Sequence, residues 1–130
     1  MKAPVVFTIM AGSARLEVFV IDTGKGFSVT ITGGDDPHIG AVALAVAHPS
    51  PAAPERPSAT ISTIQVPNHK DGQVAGPVAE KLARRTRCTV SVAAGIHIGP
   101  PGEYRASLEE IQEIIEAIPR VVEAILERIE

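Results

Sequence analysis

Between Gly26 and Thr32 the apolar residues Phe27, Val29 and Ile31 alternate with Ser28, Thr30 and Thr32, the period of a strand with one buried face. Val5 to Met10 and Leu16 to Ile21 are short runs rich in β-branched residues, and Ala11-Gly12-Ser13-Ala14 between them predicts a hairpin. From Ile39 to His48 alanines alternate with larger aliphatics and no polar face develops, which predicts a central strand covered on both sides, with the alanines admitting a closely packed helix. Pro49, Pro51, Pro54 and Pro57 then predict a mobile loop, because each ring removes a backbone donor and restricts the residue before it. Ala59 to Val66 and Cys88 to Ile98 return to strand.

Helical spacing enters only in the second half. Val74, Val78 and Leu82 recur at i, i+4 and i+8, with Pro77 expected in the first turn and Arg84, Arg85 and Arg87 at the negative end of the helix dipole. Ser107 and Glu110 have the spacing of a capping box. Leu108, Ile111, Ile115, Ile118, Val122, Ile125 and Ile129 follow at alternating spacings of three and four, with Pro119 expected to kink or split the helix. This stripe suits either covering a sheet or sealing a subunit interface. Residues 5–66 contain no helix to connect parallel strands, so the pattern predicts an α+β fold: a mainly antiparallel sheet of about six strands with two helical regions packed on it.

A length of 130 residues makes residues 1–130 a single domain able to bury a sizeable core. Cys88 is the single cysteine, which excludes an intrachain disulfide and favours a reducing, cytoplasmic setting; its strand phase points it inward. A net charge of -3, with one Tyr, three Phe and no Trp, provides neither the basic footprint nor the stacking platforms of nucleic-acid binders. The apolar start, broken by Pro4 and Thr8, does not make a signal peptide, and no apolar run is long enough for a membrane span.

The polar chemistry gathers in three islands at strand ends: Thr32 to Gly40, Asn68 to Asp71, and Gly95 to His97. In the first, Gly33 and Gly34 allow close approach of a ligand or a backbone, Asp35 and Asp36 suit a turn, and His38 stands where the chain re-enters an apolar strand. Taken alone, this stretch equally describes a hairpin turn. In the second, Asp71 suits a helix cap while Lys70 offers a cation and His69 a donor or proton carrier; solvated side chains are the plain alternative. Gly95 and His97 fall on the polar phase of an otherwise apolar strand. The shared placement of the islands points to one site. No nucleophile elbow, Ser-His-Asp order or compact metal motif occurs, which leaves no catalytic candidate and assigns no metal ligand. An enzyme holding a metal through His38, His69 and His97 is the alternative.

These islands, Thr-Gly-Gly-Asp-Asp-Pro-His-Ile-Gly-Ala-Val-Ala (Thr32 to Ala43), Asn-His-Lys-Asp (Asn68 to Asp71) and Ala-Gly-Ile-His-Ile (Ala94 to Ile98), resemble the small D subunit associated with gallate-type hydroxyarene decarboxylases, a prenylated-flavin chaperone family. The resemblance implies a fold similar to the small proteasome-assembly chaperones. It also implies a non-catalytic accessory protein that binds flavin mononucleotide (FMN) or prenylated FMN and assists its delivery to a flavin-dependent decarboxylase subunit. Carried onto this chain, Gly33, Gly34, His38, His69, Lys70, Gly95 and His97 would line the cofactor site, with glycine amides and Lys70 toward the phosphate and histidines toward polar edges. A protein-assembly chaperone acting through the C-terminal helix is a further alternative. Because that helix carries more apolar stripe than a small sheet needs, a homo-oligomer is expected.

Overall fold

A computed structural model describes residues 3–34, 37–67, 71–97 and 108–129. The elements run β1 (Val5–Ala11), β2 (Ala14–Asp22), β3 (Gly26–Gly34), β4 (Ala41–Pro49), β5 (Pro57–Gln65), α1 (Gly72–Thr86), β6 (Thr89–His97) and α2 (Leu108–Ile129). The strands form one sheet in the order β1-β2-β3-β6-β4-β5. Neighbours are antiparallel except β3 and β6, which run parallel at the centre. The α+β fold and mostly antiparallel sheet therefore match the reading of the sequence, with one parallel junction created by the β4-β5-α1 excursion that separates β3 from β6. That junction brings the C-terminal ends of β3 and β6 side by side, Gly34 opposite His97.

Both helices lie on one face of the sheet. The α1 helix packs on β4, β5 and β6, and α2 packs on α1, β1 and β2. Val74, Val78 and Leu82, at the predicted spacing, are all buried. They meet Ala41, Ala43, Ala45 and Ala94, also buried, whose small side chains bring the helix close to the strands. From α2, Ile114, Ala117, Ile118, Val121, Val122, Ile125 and Leu126 are buried; of the predicted stripe, Ile118, Val122 and Ile125 are buried and Ile111, Ile115 and Ile129 half-buried, so the helix covers the sheet and α1 with a face shifted from the one the spacing marks.

Several expectations are corrected. The α2 helix is continuous through Pro119, neither split nor kinked into two: the ring sits on the exposed side, while apolar residues on both sides of it pack on the same surface and offset the lost backbone bond. Pro77 stands in the second turn of α1, which begins at Gly72. The β4 strand is next to an edge and covered on one face only; its alanines face the helix and Val42, Leu44 and Val46 are exposed. The two outer prolines of the proline-rich stretch belong to the ladder, Pro49 paired with Pro57, and Ser50 and Arg56 are bonded across the connection. Cys88 is half-buried just before β6, its Sγ donating to the Thr86 carbonyl at 3.3 Å. The Ser107 capping box lies outside the described residues.

Ile125 is wholly enclosed between α2 and the sheet. Ile125→Ala is expected to lower the unfolding free energy by about 2–5 kcal/mol, measured by urea denaturation; an unchanged midpoint would remove α2 from the core.

Candidate functional site

Where β4 stops running beside β6, a side chain continues the ladder. The Ala94 carbonyl accepts the Gly40 N–H at 2.9 Å. Two residues further along β6, the Ile96 N–H donates to Asp71 Oδ1, also at 2.9 Å. The other carboxylate oxygen, Oδ2, accepts from His38 Nε2 at 3.1 Å. Asp71 is 6% exposed, the one buried polar or charged residue among those described, so both contacts act in a partly dry environment where a charge-assisted bond is strong. Its backbone carbonyl meanwhile accepts the Val74 and Ala75 N–H groups that open α1. Asp71 stands at the helix N-cap but its carboxylate makes no capping bond; it is turned toward β6 and His38 instead.

The glycines make this convergence sterically possible. A Cβ on Gly40 would lie 1.7 Å from Asp71 Oδ2, and one on Gly95 would lie 1.6 Å from the His38 carbonyl oxygen. Gly34, at φ 76°, has the His97 carbonyl oxygen 1.6 Å from where its Cβ would sit. At Gly33 the space is taken by the Arg15 carbonyl and Leu16. These glycines admit the protein's own backbone and carboxylate, so their side-chain space is not an open ligand floor. Their amides remain at the strand ends.

Gly33, Gly34, His38, Gly95 and His97 are thus brought to one end of the sheet. His69 and Lys70, with Asn68, Asp35 and Asp36, lie outside the described residues. His38 and His97 are half-buried, and the His97 Nδ1 atom is enclosed. Exposed apolar surface adjoins them: Ile39 follows His38, and Val66, whose N–H donates to the Gly40 carbonyl at 2.7 Å, is exposed as well. Two participants escape a reading of the sequence, Asp71 as a bridge rather than a cap and Gly40 as the gap that admits it. A polar strand-end aspartate followed by glycine was the available signal, and it is shared with ordinary helix starts.

His48 belongs elsewhere: Nδ1 donates to the Pro49 carbonyl and Nε2 accepts from the Thr60 hydroxyl, each at 2.8 Å. Among the described residues no three His, Cys, Asp or Glu side chains are grouped to hold a metal ion, so the metal-enzyme alternative gains no support. A cavity of about 370 Å³ opens away from the site, lined by Pro57, Lys81, Arg84, Arg85, Pro119 and Val122 with Glu123. Two of its cations are already engaged, Arg84 with Glu80 at 3.3 Å and Arg85 with Glu123 at 2.6 Å. Its chemistry is that of solvated ion pairs, and we place the candidate site at His38 and Asp71.

A single mixed sheet with both helices on one face defines an α+β fold of the proteasome-assembly-chaperone kind. One solved structure, "Crystal Structure of a Novel Chaperone Complex for Yeast 20S Proteasome Assembly", aligns with a TM-score of 0.54 over 96% of this chain and 92% of that one, at 12% identity. At that identity the likeness shows fold alone. The sequence itself goes further: the family model for the prenylated flavin chaperone LpdD-like domain matches residues 10–130, and the chain belongs to that family. A search of curated proteins found no match.

Asp71→Ala is expected to cost about 1–3 kcal/mol of stability by leaving two part-buried donors without their acceptor, with Asp71→Asn retaining part of it through an oxygen facing Ile96. Gly40→Ala should destabilise in the same direction. Urea titration followed by circular dichroism measures both; wild-type stability in either alanine variant would contradict the bridging role.

Proposed function

We propose that this chain binds FMN or prenylated FMN at the His38–Asp71 end of the sheet and assists maturation of a prenylated-flavin-dependent decarboxylase without catalysing a reaction itself. The observation that carries this reading is the family match over residues 10–130. The chemistry of the site supports it: imidazoles at His38 and His97 suit the polar edge of a flavin ring, and the exposed apolar Ile39 and Val66 suit its face. In this reading Lys70, with His69, supplies the donors for the phosphate. No helix among the described residues is long and apolar enough to cross a membrane. In this reading the protein works in the cytoplasm, a setting that its lone Cys88 suits.

Titration of the purified chain with FMN and with prenylated FMN, followed by flavin fluorescence, is expected to give saturable binding. His38→Ala should weaken it by roughly tenfold, the loss of one good polar contact, while the far-ultraviolet circular dichroism stays unchanged. Absence of binding to either flavin, together with no effect on the activity of a co-expressed decarboxylase, would overturn the proposal.

A further inference from the structure

Toward the end of α1 away from Asp71, the last turns of that helix and the middle of α2 border the cavity of about 370 Å³. Lys81, Arg84 and Arg85 line it at i, i+3 and i+4, the spacing that sets three side chains on one helix face. Pro57, Pro119 and the buried Val122 supply its apolar lining. Glu123 is the one carboxylate among the described lining residues, so the cavity carries three cations and one anion in a chain whose net charge is -3. The ion pairs within the chain are exchangeable here: Arg84 and Arg85 stand about half exposed beside Glu80 and Glu123, where an ion pair contributes little. Lys81 has no ion-pair partner among the described residues.

We propose that an acidic segment of the decarboxylase subunit docks in this cavity, one of its apolar side chains entering between Pro57, Pro119 and Val122 while its carboxylates meet Lys81, Arg84 and Arg85. Docking here presupposes the accessory role proposed above and gives that role a contact surface. An apolar centre bordered by charge is the anatomy of a protein contact. Every polar side chain lining the cavity is exposed, which gives a free phosphate or carboxylate little to hold it once the cations are solvated. A peptide segment adds the apolar anchor that a small anion lacks, and its negative charge is steered to a positive patch on a chain that is otherwise acidic. Position matters as well. Lys81 to Arg85 follow Asp71 by ten to fourteen residues, about 15–21 Å along a helix that rises ~1.5 Å per residue. A segment seated in the cavity therefore leaves the His38–Asp71 end open to flavin.

Biolayer interferometry of the full chain against the purified prenylated-flavin-dependent decarboxylase of the same organism tests this. Affinity is expected to fall by roughly tenfold or more between about 50 and about 300 mM sodium chloride, as exposed charges are screened. Lys81→Glu and, separately, Arg84→Glu should each weaken the complex by roughly tenfold, chiefly through slower association. Both side chains are exposed, so wild-type circular dichroism should be kept. Glu123→Gln, which removes the carboxylate from the cavity, should tighten the complex by roughly threefold, a gain that misfolding does not produce. Arg15→Glu, exposed on the face of the sheet away from the helices, should leave it unchanged. A complex that forms but is indifferent to the three cavity variants, or is weakened only by Arg15→Glu, would overturn the docking site and leave the accessory role standing. Absence of any complex at low salt would overturn both. Flavin titration of Lys81→Glu is expected to match the wild type; loss of flavin binding there would reassign the cavity to the cofactor and overturn the docking site.

Discussion

One carboxylate ties together three parts of the chain: the β3–β4 connection, the start of α1 and the end of β6. Asp71 takes the Ile96 N–H beyond the first residue of β4 and takes the His38 imidazole from the β3–β4 connection, while its carbonyl starts α1. Loss of this acceptor would leave a strand-end amide and an imidazole partly buried, a penalty larger than the net worth of either bond. Gly40 and Gly95 are the steric condition for it, since any side chain at either position would occupy the place of the carboxylate or of the His38 carbonyl. The polar end of the sheet is therefore fixed by the protein's own groups.

The sheet divides its duties between two faces. Small residues, chiefly alanines of β4 and β6, admit α1 closely, and α2 closes the rest of the core with Ile118, Val122 and Ile125. The larger aliphatics of β4 point the other way. An arrangement with alanine inward and valine or leucine outward is the reverse of a solvated antiparallel sheet.

Much of the fold was legible because period-two and period-3.6 patterns are local. Phe27, Val29 and Ile31 declared β3, and Val74, Val78 and Leu82 declared α1 and its buried face. Strand order was not legible, since the parallel pairing of β3 with β6 joins residues more than sixty positions apart. Nor was the facing of β4, because an alternation of alanine with valine and leucine is apolar in both phases. Pro119 misled because its penalty is local while the packing that overrides it comes from the whole length of α2. At the polar end, His38, Gly95 and His97 stood out as polar or small residues closing apolar strands. Asp71 did not: a helix cap and a tertiary bridge look alike in one dimension, and only the folded chain shows its carboxylate turned from the helix to Ile96 and His38.

The proposed function puts flavin at the His38–Asp71 end of the sheet rather than at the basic cavity beside α1 and α2. Amide nuclear magnetic resonance spectra recorded during titration with FMN or prenylated FMN test it most directly. With flavin at that end, the largest shifts are expected on Gly34, His38, Ile96 and His97. Shifts confined to Lys81, Arg84, Arg85 and Val122, or no shifts at saturating flavin, would contradict it.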